Sequence, residues 1–178
     1  MIYNFPTVTA GQNLNSDIIG ELAQHPNIVG AKLSCGDVGK LTRLASKYGT
    51  GTPGAQQYGE FATFPGKSDV LLPGLLMKSH GLIGALVNVA PKAHVKLYQL
   101  FEEGKLAEAV KLQQLLSNGD ASISGIGGIG GVKIAIAENF GYGTGTARGP
   151  LTNGTTSKLV DSEAAEWIKK CIELEKSL

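Results

Sequence analysis

The chain has 178 residues and a formal net charge of +1, and 42% of its residues are hydrophobic. That is enough apolar material for one domain with a core, and the near-neutral charge argues against a nucleic-acid-binding protein or a polybasic membrane-surface protein. No run approaches the roughly 20 apolar residues of a spanning helix, and no charged n-region precedes an apolar h-region of the kind a secretory signal has. Cys35 and Cys171 form neither a disulfide framework nor a metal-type spacing. We therefore expect a cytoplasmic protein without membrane or nucleic-acid partners.

The first half of the chain alternates strand and helix patterns. Four short apolar segments bounded by Gly, Pro or Asn are predicted to be buried strands: residues 2–3, 28–33, 61–64 and 82–87. Helical patterns cover residues 14–24, 37–47 and 71–79. In the first, Ser16 and Asp17 are candidate N-caps, and one apolar face is predicted to contain Ile18, Ile19, Leu22 and Ala23. The glycine-rich stretch 50–59 is predicted to be a surface loop. This rhythm, with units of about 25 to 30 residues, is typical of βαβ units in a parallel sheet.

The second half reads as helices. Pro91 suits a first helical position, with Val95, Tyr98 and Phe101 along the apolar side and Gly104 ending the helix. Further helices are predicted over residues 106–116, 132–140 and 161–176. The residues of the last helix that are predicted to face inward are Ala165, Ile168, Cys171 and Ile172. A complete (β/α)₈ barrel needs about 250 residues. The chain therefore has material for half of such a barrel and a helical tail.

Two residues at predicted strand ends carry possible chemistry, because reactive groups in parallel α/β folds gather at the carboxyl ends of the strands. Lys32 follows an apolar strand, and a partly desolvated lysine is a nucleophile toward carbonyl carbons. A lysine that only extends its ammonium to water is the alternative. Tyr3 could relay a proton, or it could simply pack by its ring.

Three sequence segments resemble a known enzyme family. Residues 3–11, YNFPTVTAG, resemble a "YNxPxxTG" motif with one extra residue before the glycine. Residues 27–37, NIVGAKLSCGD, resemble "NIxGxKxSxGD", and residues 140–151 resemble a closing "FG…RxPL" pattern. These motifs are those of the dihydrodipicolinate synthase / N-acetylneuraminate lyase family of class I pyruvate aldolases. The chain looks most similar to 4-hydroxy-2-oxoglutarate aldolases and fungal 2-keto-3-deoxy-sugar-acid aldolases.

The resemblance implies an α/β fold, the C-terminal half of a (β/α)₈ TIM barrel with about four βα units. Residues 1–90 would supply strands five to eight, and residues 91–178 the last barrel helix and a C-terminal helical region. Lys32 would form a Schiff base with a 2-keto acid, and Tyr3 would relay protons for cleavage or formation of a C–C bond between pyruvate and an aldehyde. Ser34, Gly66 and the backbone of Ile83 would contact the substrate. No metal or organic cofactor is implied, and relatives are commonly homo-tetramers.

Two departures from the family pattern leave alternatives open. Val8 stands where dihydrodipicolinate synthases carry an arginine, which disfavours the lysine-biosynthesis reaction. No segment matches the "GxTGE" loop that binds the pyruvate carboxylate, so a truncated, non-catalytic fragment or pseudoenzyme is the second hypothesis. A small flavodoxin-like binding domain is the third. A mitochondrial location is possible if a targeting segment lies upstream.

Overall fold

A computed structural model describes residues 1–154 and 162–178. It divides into two compact units, Met1–Ile83 and Gly84–Leu178. The first unit alternates strands and helices, whereas the described part of the second is helical. The predicted domains, residues 1–90 and 91–178, refer to the family barrel and stay a prediction. Within the described residues, no helix is both long enough and apolar enough to cross a membrane.

A parallel sheet of three strands forms the centre of the first unit. The strands are β1 (Ile2–Asn4), β2 (Gly30–Leu33) and β3 (Ala62–Pro65), in the order β1-β2-β3. Tyr3 pairs with Lys32, and Lys32 pairs with Phe64, so these residues share one face of the sheet. Asn4 and Leu33 pair on the other face, where both are buried. The three predicted strands at residues 2–3, 28–33 and 61–64 are therefore confirmed, with small shifts at their ends.

Four helices complete the first unit: α1 (Ser16–Leu22), α2 (Val38–Tyr48), α3 (Pro53–Tyr58) and α4 (Leu71–Leu76). Short 3₁₀ turns cover Pro6–Val8 and Ser68–Val70. The N-cap of α1 is Asn15, whose side chain accepts hydrogen bonds from the backbone of Asp17 and Ile18, so the prediction of Ser16 or Asp17 as cap was wrong. Asp37 caps α2 in the same way. Both caps satisfy backbone N–H groups that the first helical turn leaves free.

The core of the first unit lies between the sheet and helices α1 and α2. It contains side chains from all of these elements: Ile19, Ala23, Ala31, Leu33, Leu41, Leu44, Tyr48 and Phe61. Each large apolar side chain buried here contributes roughly 1.5–3 kcal/mol relative to exposure. Ile19 and Ala23 were predicted to face inward together with Ile18 and Leu22, but the latter two are exposed. The apolar stripe of α1 is therefore narrower than predicted.

Two predictions for the first half were wrong. The segment 82–87 forms no strand. The backbone N–H groups of His80 and Ile83 donate to the carbonyl oxygens of Thr63 and Pro65 in β3. The two donors are separated by one residue more than the two acceptors, so a regular ladder cannot form. The predicted loop 50–59 contains helix α3. Thr52 caps this helix through a hydrogen bond to the backbone N–H of Ala55. Thr52 as N-cap and Pro53 as first helical residue are the sequence features that indicate this helix, whereas the glycines around them favoured the prediction of a loop.

The second unit contains a 3₁₀ turn at Leu86–Asn88 and helices α5 (Pro91–Glu102), α6 (Leu106–Ser122), α7 (Gly128–Phe140) and α8 (Glu163–Ser177). Pro91 begins α5 as predicted, but Val95 and Tyr98 are exposed, and the buried residues are Ala93, His94, Leu97 and Leu100. The buried stripe is therefore rotated around the helix relative to the predicted one. Residue 161, the predicted start of the last helix, lies outside the described residues.

Helix α6 continues through Gly119, well beyond the predicted end at residue 116. A Cβ at Gly119 would lie 2.6 Å from Cys171 Sγ of α8 and 3.0 Å from a methyl group of Leu86. The glycine therefore permits close helix packing rather than ending the helix. Ala165, Ile168, Cys171 and Ile172 of α8 are buried as predicted.

Candidate functional site

Lys32 and Tyr3 are neighbours on the open face of the sheet. The pairing of β1 with β2 sets Tyr3 opposite Lys32, and Lys32 Nζ lies 4.3 Å from the centroid of the Tyr3 ring. The Phe5 ring lies beside it, 5.5 Å from the Tyr3 centroid. Tyr3 is 52% exposed, and Lys32 is half-buried. An amine and a phenol, both reachable from solvent, therefore lie together at the carboxyl ends of adjacent strands.

Ser34 lies next to this pair. Its backbone N–H extends the ladder by donating to Asn4 O at 3.0 Å, and its side chain is buried. Ser34 Oγ is 3.5 Å from the Tyr3 hydroxyl, the long limit of a hydrogen bond. A serine at this position can therefore contact both the tyrosine and a molecule bound over Lys32.

Gly66 lies against Ser34 just beyond the end of β3. Its N–H donates to Leu33 O at 3.1 Å, which continues the ladder between β2 and β3. A Cβ at Gly66 would lie 2.7 Å from Ser34 Cα and 2.8 Å from Ser34 Cβ, too close for any side chain without movement of the backbone. The structure therefore places Gly66 beside Ser34 and explains why glycine occupies the position.

Ile83 is attached to the same strand end through its backbone. Its N–H donates to Pro65 O at 3.1 Å, and its side chain is 37% exposed. Phe64 of β3, which was not singled out from the sequence, pairs with Lys32 and lies on the same face of the sheet. The register could have identified it, because residues opposite one another on parallel strands share a face.

Lys32 has no carboxylate within 4 Å among residues 1–154 and 162–178. No ion pair with a described residue therefore occupies its amine. In the same part of the chain, no group of three His, Cys, Asp or Glu side chains is placed to hold a metal ion. Val8 lies in the turn after β1 and is 66% exposed. An apolar side chain there offers nothing to bind a carboxylate.

Two cavities lie away from these residues. One, of about 490 Å³, lies in the first unit among helices α1, α2 and α3 and is lined by residues including Gln24, Tyr48 and Tyr58. The other, of about 240 Å³, is an apolar pocket of the second unit lined by Ile129, Val132 and neighbouring residues. Neither is lined by Lys32 or Tyr3. An open sheet face encloses little volume, so a reactive group at a strand end does not require a large cavity beside it.

The sequence analysis missed a buried polar group at the same edge of the sheet. Asn4 is 2% exposed; its Oδ1 accepts from the Leu14 backbone N–H, and its Nδ2 donates to Asn13 Oδ1, both at 3.0 Å. Asn13 Oδ1 also accepts from Lys40 Nζ at 2.6 Å, and the Lys40 side chain is buried. Asn4 follows Tyr3 directly, so the network fixes the strand end that carries the tyrosine.

Known proteins resemble the chain over its whole length. A family model described as "Dihydrodipicolinate synthetase family" matches residues 1–168. An L-threo-3-deoxy-hexylosonate aldolase from Hypocrea jecorina is 39% identical over 178 residues, which cover 100% of this chain and 55% of that protein. A protein from Emericella nidulans, named "Probable 4-hydroxy-2-oxoglutarate aldolase, mitochondrial", is 35% identical over 178 residues, covering 100% and 53%.

A solved structure agrees with these sequence matches. The dihydrodipicolinate synthase family protein from Coccidioides immitis superposes with a TM-score of 0.74 at 31% identity, covering 99% of this chain and 55% of that one. The chain thus spans about half the length of the relatives it matches, and its fold is the C-terminal half of a (β/α)₈ barrel with a helical tail, as the sequence predicted. By these matches, the chain belongs to the dihydrodipicolinate synthetase family.

Proposed function

We propose that this chain carries the Schiff-base half of a carbon–carbon lyase that acts on 2-keto acids. The pairing of Lys32 with Tyr3, with the amine 4.3 Å from the ring centroid, is the observation that carries the proposal. Relatives named as aldolases support the same class of reaction. In this proposal Lys32 is the nucleophile and Tyr3 carries protons, and both side chains can reach one substrate because they lie on the same open face of the sheet.

The proposed reaction begins with imine formation. The Lys32 amine attacks the C2 carbonyl carbon of the keto acid, and the resulting carbinolamine loses water to give a protonated imine. Breaking the C3–C4 bond sends its electron pair toward the imine nitrogen and releases the aldehyde, which leaves an enamine. Protonation at C3 and hydrolysis then return pyruvate and the free amine. Run backwards, the same steps form the C–C bond.

Tyr3 would carry the protons in this sequence. Its hydroxyl takes a proton from the substrate C4 hydroxyl as the bond breaks and returns one during hydrolysis. Ser34 would keep the phenol oriented through its Oγ, 3.5 Å away. Gly66 and the backbone of Ile83 would line the substrate side, because both are hydrogen-bonded to the ends of the strands beside Lys32.

The proposed substrate is a 2-keto-3-deoxy sugar acid or 4-hydroxy-2-oxoglutarate, and the names of two relatives support this choice. Val8 argues against the dihydrodipicolinate synthase reaction, because an exposed valine cannot hold the second substrate's carboxylate. Release of pyruvate from each of the two aldol substrates, measured with a coupled dehydrogenase, distinguishes them. Condensation with aspartate semialdehyde would instead support the synthase.

Borohydride trapping tests the proposal. The purified chain is incubated with pyruvate and reduced, and the adduct is located by intact mass and peptide mapping. We expect a reduced pyruvyl adduct on Lys32 that Lys32→Ala abolishes. Lys67→Ala is the matched control, because Lys67 also follows a strand but is exposed. An adduct that survives in Lys32→Ala would refute the assignment.

The second candidate is a non-catalytic piece that pairs with another chain. The chain spans about half the length of its relatives, and among the described residues no strand pairs with the outer edge of β1. An unpaired strand edge favours association. Light scattering that shows homo-oligomers, with no trapped adduct on this chain but an adduct on one extended upstream, would favour this reading; a monomer would count against it.

The compartment is also a proposal. We place the protein in the cytoplasm, with the mitochondrion as the alternative because a relative carries that word in its name. Fluorescence microscopy of the tagged full-length gene product distinguishes the two.

A further inference from the structure

Cys35 and Lys40 form a close pair near the carboxyl ends of the strands, apart from the Tyr3 and Lys32 pair. Lys40 Nζ lies 3.7 Å from Cys35 Sγ and 2.6 Å from Asn13 Oδ1. The lysine belongs to α2 and is only 3% exposed. The network that holds it continues through Asn13 to Asn4, whose side chain lies on the opposite face of β1 from Tyr3. Neither Cys35 nor Lys40 has a role in the steps of the proposed aldolase reaction.

The charge of Lys40 lacks an ordinary counter-ion. Among residues 1–154 and 162–178, no carboxylate lies within 4 Å of its Nζ, and Asp37 uses its carboxylate on the Lys40 backbone N–H and on Arg43. Burying an ammonium against neutral groups costs free energy unless a negative charge compensates it. In the described chain, the Cys35 sulfur is closer to the ammonium than any carboxylate is. The buried ammonium therefore faces the sulfur at 3.7 Å and would stabilise negative charge that develops there during a reaction.

We propose that Cys35 is a peroxide-reactive thiol, a modification site whose fixed cationic partner is Lys40. The inference is independent of the proposed aldolase activity. Reactive cysteines are reachable thiols beside a cation, and Cys35 is half-buried and so open to a small oxidant.

Cys171 provides the contrast within the same chain. Its side chain is fully buried, and burial raises the pKa of this thiol to about 11. A protonated thiol in an apolar interior is a poor nucleophile. The two cysteines therefore predict opposite reactivities toward one reagent.

The proposed step uses hydrogen peroxide as the oxidant. The Cys35 sulfur attacks one peroxide oxygen, and the O–O bond breaks as the S–O bond forms. The departing hydroxide takes a proton and leaves as water, so that sulfur is oxidised by two electrons and peroxide is reduced by two. The product is a sulfenic acid on Cys35, which thiols reduce back. The Lys40 ammonium, 3.7 Å from the sulfur, stabilises the negative charge that develops on the oxygen that leaves.

Dimedone trapping during peroxide treatment tests the site. The reduced, full chain is treated with hydrogen peroxide and dimedone, and the labelled peptide is mapped by mass spectrometry. We expect label on Cys35 and none on Cys171. Lys40→Gln should slow labelling at least about fivefold, the lower end of the effect of a cation about 4 Å away. Lys47→Gln, an exposed lysine of the same helix, should leave the rate unchanged.

A second measurement separates charge from loosened structure. The ratio of the alkylation rates of Cys35 by iodoacetate, which is anionic, and iodoacetamide, which is neutral, reports the local charge. If Lys40→Gln only loosened the structure around Cys35, both alkylation rates would change together and their ratio would stay the same. Because the variant removes a positive charge, we expect the ratio to fall several-fold. Lys40→Arg keeps the charge and should preserve the ratio. The proposal is overturned if Cys35 of the folded chain reacts with peroxide no faster than in urea, or if the ratio ignores the charge of residue 40.

Discussion

Replacement of Gly66 by alanine tests the close approach at the centre of the candidate site. The added Cβ would lie 2.7 Å from Ser34 Cα and 2.8 Å from Ser34 Cβ, with Ser34 Oγ closer still. Two of these atoms lie on or next to the backbone of β2's end, so no rotation of a side chain relieves the contact. The strand ends must separate instead, and the hydrogen bond from Gly66 N–H to Leu33 O lengthens.

The expected cost of Gly66→Ala is about 1–3 kcal/mol of unfolding free energy, the usual range for overpacking a well-packed region. With an m-value of about 2 kcal/mol/M, the midpoint of urea unfolding falls by roughly 0.5–1.5 M. Far-UV circular dichroism of the full chain measures the midpoint. Separating the strand ends also moves Ser34 away from Tyr3, so pyruvate trapping on Lys32 should fall in the same variant.

Gly39→Ala is the matched control. A Cβ there would meet only Arg43 Nη1 at 3.1 Å and Asp37 Oδ1 at 3.2 Å, both at the ends of exposed side chains. Alanine in a helix is favoured over glycine by up to about 1 kcal/mol, but Asp37 Oδ1 also accepts the capping hydrogen bond of α2, and moving it offsets part of that gain. The unfolding free energy of this variant should therefore stay close to that of the wild type. Adding Ser34→Gly to Gly66→Ala removes two of the three contacts and should restore part of the loss. If Gly66→Ala costs no more than Gly39→Ala, the argument from close approach is wrong.

Three further predictions concern buried polar groups. Asn4→Ala leaves the Leu14 N–H without its acceptor and should lower the unfolding free energy by about 1–3 kcal/mol in urea titrations. Glu175 accepts from the Ala93 N–H at 3.1 Å and caps α5, which lacks an N-cap side chain; Glu175→Leu should cost about 1–2 kcal/mol by thermal melting, and Glu175→Gln less. Burial lowers the pKa of His94 below 6.5, so in mildly acidic solution the unfolded state binds a proton at this histidine more readily than the folded state does. Stability should therefore fall as the pH drops below about 6.5, and urea midpoints should fall less in His94→Gln.

The placement of Tyr3 and Lys32 at neighbouring strand ends was the most predictable part of the structure, whereas their chemical roles stay a prediction. Alternation along a strand and pairing between parallel strands act over a few residues, and both are visible in the sequence. Tyr3 and Lys32 each followed a short apolar segment, and the register then placed them side by side. The start of α2 was predicted well because its N-cap is also local: the Asp37 side chain accepts from the backbone N–H of Lys40, only three residues later.

Features decided by contacts distant in sequence were predicted poorly. The buried stripe of α5 consists of Ala93, His94, Leu97 and Leu100, whereas Val95 and Tyr98 are exposed. Which side of the helix is buried depends on the residues that pack against it, and these are distant in sequence. The predicted helix ended at residue 116, short of Gly119, because the contact that calls for glycine there is with Cys171, far along the chain. The cluster of Asn4, Asn13 and Lys40 was missed likewise, since no spacing in the sequence brings these residues together.

The alternation of strand side chains also explains why two kinds of chemistry lie at one sheet edge. Tyr3 and Lys32 occupy the open face, where a phenol and an amine stay accessible. Asn4 occupies the next position and therefore the covered face, where its amide must be fully hydrogen-bonded. Those bonds fix the end of β1, and through it the ring that packs on Lys32. If this reading is right, Asn4→Ala should weaken trapping on Lys32 as well as stability, whereas Glu175→Leu, in the other unit, should change stability alone.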